Sequence, residues 1–201
     1  CDVETEIKET RINDAKVDPH GGIVFGTYNE HPDRKNRKPI ASLYRLAPDL
    51  SLTQLLTNIT VSNGIAFSQG DNIMYFADTP TGRIQKFEYS QDFKKLNELD
   101  SNLIFNDVGV PDGATMDSQN NYWSARVRGN CIICIDIKKE KILKKINLPT
   151  ATPTCLTFGG PDSSNLFVTS LRAEPINDSK DGNLYKVETN TQGQKQLLSD
   201  I

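Results

Sequence analysis

Three polar residues recur at almost constant spacing along the chain and are the first candidates for chemistry. They are Asn13, Asn63 and Asp112, each close to a Gly or Ala, with steps of 50 and then 49 residues between them. Carboxylate and amide oxygens are the ligands that hard cations such as Ca²⁺, Mg²⁺ and Mn²⁺ prefer. A divalent ion polarises a carbonyl or phosphoryl oxygen and acidifies water, whose proton an adjacent carboxylate can then remove. These residues therefore favour metal-assisted hydrolysis, although Asn and Asp also commonly cap turns.

Two residues near Asn13 in the sequence are candidates for holding a substrate. Arg11 precedes Asn13 by two positions, and together their guanidinium and amide donors match the hydroxyl and carboxylate acceptors of an oxygen-rich molecule. A surface ion pair between Arg11 and a nearby glutamate fits the spacing equally well. His31 lies in the polar loop NEHPDRKNRKP, which could cover the site, so that His31 contacts either substrate or solvent.

The three polar residues belong to a longer repeat. Four segments share a polar residue, small residues, an apolar strand, a turn rich in Gly, Asp and Asn, and a second apolar strand; they are residues 12–27, 62–79, 111–126 and 153–170. Aligning the apolar anchors Val17, Phe67, Met116 and Phe158 places Asn13, Asn63, Asp112 and Thr154 in register. A third strand and commonly a fourth follow each copy, the last being predicted in QKQLLSD (194–200).

Such a repeat, with about four strands in every 40 to 50 residues, is typical of β-propeller blades. We therefore predict an all-β propeller, with roughly four blades and part of another in 201 residues. The first strand of each blade lines the central channel, so that residues in register converge there. All-β chains of this length commonly have one core, and we expect a single domain over residues 1–201.

Composition and cysteine spacing narrow the function further. The formal net charge is −3, and basic and acidic residues are interspersed, which disfavours nucleic-acid and anionic-membrane partners. No apolar run approaches the ~20 residues that span a bilayer, and we expect a cytoplasmic protein. Cys131 and Cys134 form C-x-x-C in a predicted strand. Their side chains would point to opposite faces, as packing residues rather than a metal or redox pair.

Several motifs together resemble the regucalcin (senescence marker protein), gluconolactonase and luciferin-regenerating family. They are RINDAKVDPHGGIVFGT, SNGIAFS with MYFADTPTGRIQKFEY, PDGATMD with YWSARV, and PTCLTFGG with LFVTS, and they run in the family's order from about residue 8 onward. The resemblance implies a six-bladed propeller, of which this chain covers roughly the last four blades and part of another. It also implies one divalent metal ion, often calcium or zinc, and hydrolysis of sugar-acid lactones.

The resemblance also implies roles for individual residues. Asn63 and Asp112 match metal ligands, Asp112 also matches the general base, and Arg11 and Asn13 match substrate contacts. The family's acidic substrate contact falls at Glu30 or His31, and the alignment favours His31, so the choice of substrate is expected to differ. The family's remaining metal ligand is a glutamate in its first blade, which has no counterpart here, and we expect about 90 further N-terminal residues in the natural protein.

The expected function is a lactonase that uses one divalent ion, with Ca²⁺ first and Zn²⁺, Mg²⁺ or Mn²⁺ as alternatives. Its partner is then a small lactone, and the residues indicate no oligomeric state. A phosphotriesterase-like or arylesterase-like hydrolase is an alternative, because a metal that polarises a lactone carbonyl also polarises a phosphoryl oxygen. A non-catalytic, calcium-binding propeller is the alternative from a different class, since one scaffold hosts many functions.

Overall fold

The computed structural model describes residues 2–172 and 180–201, and in these residues it is all-β. Fifteen strands form four antiparallel sheets, and helical structure is confined to three single 3-10 turns in the described ranges. The repeat is thus confirmed: each copy is one propeller blade, and the chain forms a partial propeller. No helix among these residues has the length and apolar character needed to cross a membrane.

The four blades follow one another along the chain. Blade 1 comprises β1 (Thr10–Val17), β2 (Ile23–Asn29), β3 (Ala41–Leu46) and β4 (Leu52–Ile59). Blade 2 comprises β5 (Ser62–Phe67), β6 (Ile73–Asp78), β7 (Ile84–Tyr89) and β8 (Leu96–Leu99). Blade 3 comprises β9 (Val110–Met116), β10 (Tyr122–Val127), β11 (Cys131–Asp136) and β12 (Lys141–Asn147). Blade 4 comprises β13 (Pro153–Gly159), β14 (Asn165–Ser170) and β15 (Leu184–Glu188).

Apolar residues between neighbouring blades form three separate core clusters. Alternation along each strand sends successive side chains to opposite faces, so that every inner blade contributes to two clusters. Cys131 packs between blades 2 and 3, whereas Cys134 packs between blades 3 and 4. Both cysteines are buried and free, which confirms that they are packing residues.

The turn after the first strand is built alike in blades 1 and 3. Asp18 and Asp117 stand five residues after Asn13 and Asp112, and each carboxylate accepts two backbone N–H groups of its own turn. The second carboxylate oxygen of Asp18 pairs with Arg45 Nε at 2.6 Å. That of Asp117 accepts the indole N–H of Trp123 at 2.9 Å. These aspartates therefore hold the end of the blade that lies away from Asn13 and Asp112.

The C-terminal segment differs from the prediction, because residues 194–200 form no strand. Instead of pairing with β15, the segment crosses from blade 4 to the turn ends of blades 3 and 1. Gly193 forms a bridge with Asp117, and Asp200 N donates to Gly21 O at 2.9 Å. The segment lines one side of a partly open cavity of about 260 Å³, whose other lining residues come from the first strands of blades 1, 2 and 3. The prediction of a fourth strand there was wrong because these residues bond to blades 3 and 1 instead of pairing with β15.

Candidate functional site

The predicted site residues lie where the innermost strand of each blade is irregular. The ladder between the first and second strands shifts register once in every blade. The shifts fall at Ile12–Asp14, Asn63–Ala66, Pro111–Ala114 and Pro153–Leu156. A bulge bends the strand and re-aims a side chain that regular pairing would hold in the sheet. The polar residues of the repeat therefore stand at four equivalent irregularities.

Hydrogen bonds bring the predicted residues of blades 1 and 2 into contact. Asn13 Nδ2 donates to Ser62 O at 2.8 Å and to Asn63 Oδ1 at 3.0 Å. Asn63 Nδ2 donates to Thr79 Oγ1 at 2.8 Å, and that hydroxyl donates to Pro111 O at 2.8 Å. Because Pro111 directly precedes Asp112, one continuous path connects the three blades at the site.

Asp14 also belongs to the site, although it was absent from the predicted residues. Its Oδ2 accepts the backbone N–H of Ile65 at 3.1 Å, and burial raises the pKa of its carboxyl group. Burial, followed by the nearby charge of Asp14, raises the pKa of Asp112 to about 7. The N–H of Gly113 donates to Asp112 Oδ1 at 3.0 Å and opposes that rise. Two carboxyl groups therefore influence each other across the channel.

One sequence signal could have identified Asp14. In the repeat alignment its equivalents are Gly64, Gly113 and Cys155. A Cβ at Gly64 would lie 2.4 Å from the hydroxyl of Tyr122, and a Cβ at Gly113 would lie 2.6 Å from Cys155 Sγ. Only a glycine fits at this position in blades 2 and 3. Asp14 is the one residue of the four equivalents that carries a carboxylate, which distinguishes it in the alignment.

Arg11 and His31 lie on blade 1, near the start of the strand that carries Asn13. Arg11 Nε forms an ion pair with Glu30 Oε2 at 3.1 Å, which is the glutamate contact that the sequence allowed. Both side chains remain largely exposed, so a substrate contact by Arg11 stays a prediction. His31 Nδ1 lies 3.1 Å from Asp33 O, and its backbone N–H donates to Asn29 Oδ1. The role of His31 likewise stays a prediction.

The donor set around Asp112 fits a hard divalent cation in its chemistry. Asp112 and Asp14 provide carboxylate oxygens, and Asn63 provides an amide oxygen. Among the described residues, no Lys, Arg or His forms an ion pair with either carboxylate. A cation would supply the missing counter-charge. The same residues contain no group of three or more His, Cys, Asp or Glu that could hold an ion, so amides or waters must complete the ligand set.

Fold and site together define a β-propeller protein with an oxygen-rich, acidic site in its channel. A family model described as the SMP-30/gluconolactonase/LRE-like region matches residues 1–172. The chain belongs to this family.

Individual relatives agree with this assignment. The chain is 32% identical to the putative sugar lactone lactonase YvrE of Bacillus subtilis (strain 168), covering 91% of this chain and 63% of that protein. Its fold matches a luciferin-regenerating enzyme at a TM-score of 0.87 and 29% identity, covering 99% of this chain and 68% of that structure. It also matches a calcium-binding protein, regucalcin, from Agrobacterium tumefaciens str. C58. That match has a TM-score of 0.85 and 25% identity, and it covers 98% of this chain and 67% of that structure. The chain thus spans less than two thirds of the Bacillus protein's own length.

Proposed function

We propose that the protein is a metal-dependent hydrolase that opens sugar-acid lactones. The observation that carries the proposal is the joining of Asn13, Asn63 and Asp112 at one end of the channel, with a raised pKa at Asp112. The name of the Bacillus subtilis relative, a putative sugar lactone lactonase, supports the substrate class.

Asn63 and Asp112 would hold a divalent ion, with Ca²⁺ proposed first and Zn²⁺, Mg²⁺ or Mn²⁺ as alternatives. The Agrobacterium regucalcin is described as a calcium-binding protein, which supports that choice. When bound, such an ion acidifies water and polarises the lactone carbonyl. Asp112 is the general base, because a carboxyl group with a pKa of about 7 can accept a proton near neutral pH.

The remaining residues of the proposal orient the lactone. Asn13 Nδ2 already donates to Ser62 O and Asn63 Oδ1, so its amide oxygen would accept hydrogen bonds from the hydroxyl groups of a sugar lactone. Arg11 and His31 are proposed as outer contacts to the hydroxyl groups. Thr79 fixes the amide of Asn63, so that its oxygen rather than its nitrogen faces Asn13.

Turnover of D-glucono-1,5-lactone with added Ca²⁺ tests this function. Asp112→Asn removes the base and one charged ligand, and we expect the rate to fall by at least about a hundredfold, together with weaker metal binding. Asp136→Asn is the matched control, because Asp136 lies at the end of β11 and pairs with Lys139 at 3.2 Å. Full lactonase activity in the Asp112 variant would refute the assignment.

Two other functions have distinct outcomes in the same assay. Faster turnover of phenyl acetate or an organophosphate triester than of the lactone would identify an arylesterase-like or phosphotriesterase-like hydrolase. Calcium binding that requires Asp112 without turnover of any ester would favour a non-catalytic, calcium-binding propeller. The description of the Agrobacterium relative as a calcium-binding protein is the observation that supports this second candidate.

A further inference from the structure

A basic loop stands beside the proposed site on blade 1. Residues 30–40, which join β2 to β3, contain four basic and two acidic side chains, in a chain with a net charge of −3. The loop follows β2 directly, and β2 pairs with the strand that carries Asn13. This local excess of positive charge is therefore opposite in sign to the chain as a whole.

Both acidic side chains of this loop are already engaged. Glu30 pairs with Arg11 at 3.1 Å. Asp33 accepts the backbone N–H of Lys35 at 3.0 Å and the side-chain amide of Asn36 at 2.8 Å. Neither carboxylate pairs with Arg37. The positive charge of Arg37 is thus not neutralised within the loop.

Arg37 is held in place despite having no carboxylate partner. Its Nε donates to His31 O at 3.0 Å, and its guanidinium lies 5.4 Å from the ring centroid of Tyr28. The guanidinium of Arg11 lies 4.7 Å from the same ring. In the described part of the chain, Arg37 has no carboxylate oxygen within ion-pair distance and no hydrogen bond through its terminal nitrogens. One aromatic ring therefore positions two guanidinium groups, and the terminal N–H groups of Arg37 remain available to bind a ligand.

We infer that Arg37, together with Arg11, selects lactones that carry a second, anionic group such as a phosphate or sulfonate. The inference rests on the proposed lactonase function and names the substrate class of that same site. Guanidinium groups bind tetrahedral oxyanions through paired N–H donors, which a neutral hydroxyl group cannot match.

The spacing along the strand agrees with this substrate class. Arg11 precedes Asn13 by two residues on β1, which corresponds to about 7 Å of strand. Tyr28 is paired with Arg11 in the ladder and holds Arg37 beside it. A six-carbon sugar acid with its lactone at Asn13 and Asp112 can therefore extend its far end toward the two arginines.

The test compares 6-phospho-D-glucono-1,5-lactone with D-glucono-1,5-lactone in the calcium-loaded, full-length protein. We expect the phosphorylated lactone to have the higher kcat/KM. In Arg37→Gln the ratio of the two kcat/KM values should fall at least about tenfold, mainly through KM, because a charge-assisted contact is lost. Arg37→Lys keeps the charge and should restore part of the preference. Lys141→Gln removes an equal charge from an outer strand and should leave the ratio unchanged.

Product binding separates this inference from the proposed function. Calorimetry with 6-phosphogluconate and gluconate needs no turnover, and the parent protein should bind the phosphorylated acid more tightly. An unchanged ratio in Arg37→Gln, or equal affinity of the parent for the two acids, would overturn the inference even if both lactones are hydrolysed. Discrimination in binding that depends on Arg37, without hydrolysis of either lactone, would sustain the inference and refute the lactonase.

Discussion

The buried ion pair between Asp18 and Arg45 offers a sharp test of what stabilises the turn end of blade 1. The side chain of Asp18 is fully buried, that of Arg45 is 8% exposed, and their closest atoms are 2.6 Å apart. The guanidinium of Arg45 also lies 5.0 Å from the ring centroid of Phe93, which belongs to the core cluster between the two blades. Replacing Arg45 with Met keeps much of the side-chain volume and leaves the Asp18 carboxylate buried without its cation.

The expected loss is large because an uncompensated charge stays in the core. Removing one partner of a buried pair typically destabilises a protein by about 3 to 5 kcal/mol. Two backbone N–H bonds to Asp18 remain, so we expect Arg45→Met to lie near about 3 kcal/mol. For a chain of this size, such a loss lowers Tm by roughly 6 to 12 °C.

Chemical denaturation followed through the buried Trp123 measures this loss. Arg83→Met is the matched control, because the Arg83–Glu98 pair is 3.1 Å long but its side chains are 35% and 43% exposed. An exposed pair contributes about 0 to 1 kcal/mol. Equal losses in Arg45→Met and Arg83→Met would refute the reasoning. A variant with Asp18→Asn added to Arg45→Met should recover stability, since no buried charge is then left.

Three further predictions concern the site itself. Thr79→Val leaves two polar partners unpaired and should lower stability by about 1 to 3 kcal/mol and calcium affinity about tenfold, as measured by denaturation and calorimetry. Metal-free protein should lose stability as pH rises from about 4 to 7, because the raised pKa values of Asp112 and Asp14 let the folded state bind more protons than the unfolded chain. Gly113→Ala should cost about 1 to 3 kcal/mol, because its Cβ would meet backbone and side-chain atoms of blade 4.

Each of these predictions has its own control and contrary result. Thr57→Val removes an exposed hydroxyl group from β4 and should leave calcium affinity unchanged. Asp112→Asn should flatten the pH dependence of the metal-free protein, and stability that rises over the same range would contradict the stated sign. Wild-type stability in Gly113→Ala would mean that blade 4 can move away from blade 3 without loss.

The repeat could be predicted because the apolar anchor residues recur at nearly constant spacing along the sequence. Phe67, Met116 and Phe158 are buried at the same step of their strands, and Val17 takes the equivalent place in blade 1. Phe67, Met116 and Phe158 each pack against the preceding blade, which restricts these positions to apolar residues, so the register can be predicted from the sequence. The convergence of Asn13 and Asn63 followed from that register.

Other features depend on contacts that no local pattern records. The bulges decide where Asn13 and Asp112 point, and they arise from pairing with the second strand rather than from either residue alone. The role of Asp14 depends on a backbone N–H of the next blade, 51 residues away. Residues 194–200 were predicted as a strand from their place after the third strand of the repeat, but that place cannot tell whether they pair with that strand.

The contacts at the turn end of blade 1 and those at the site end are expected to have different effects: the first on stability, the second on metal binding. Asp18 and Arg45 act at the turn end, away from the site, and connect blade 1 to the core shared with blade 2. Thr79 acts at the site end, where one hydroxyl group bonds Asn63 and the carbonyl before Asp112. If the site is held by these contacts between blades, Thr79→Val must reduce calcium affinity more than its loss of stability explains. Arg45→Met, although more destabilising, must then leave calcium affinity of the folded protein nearly intact.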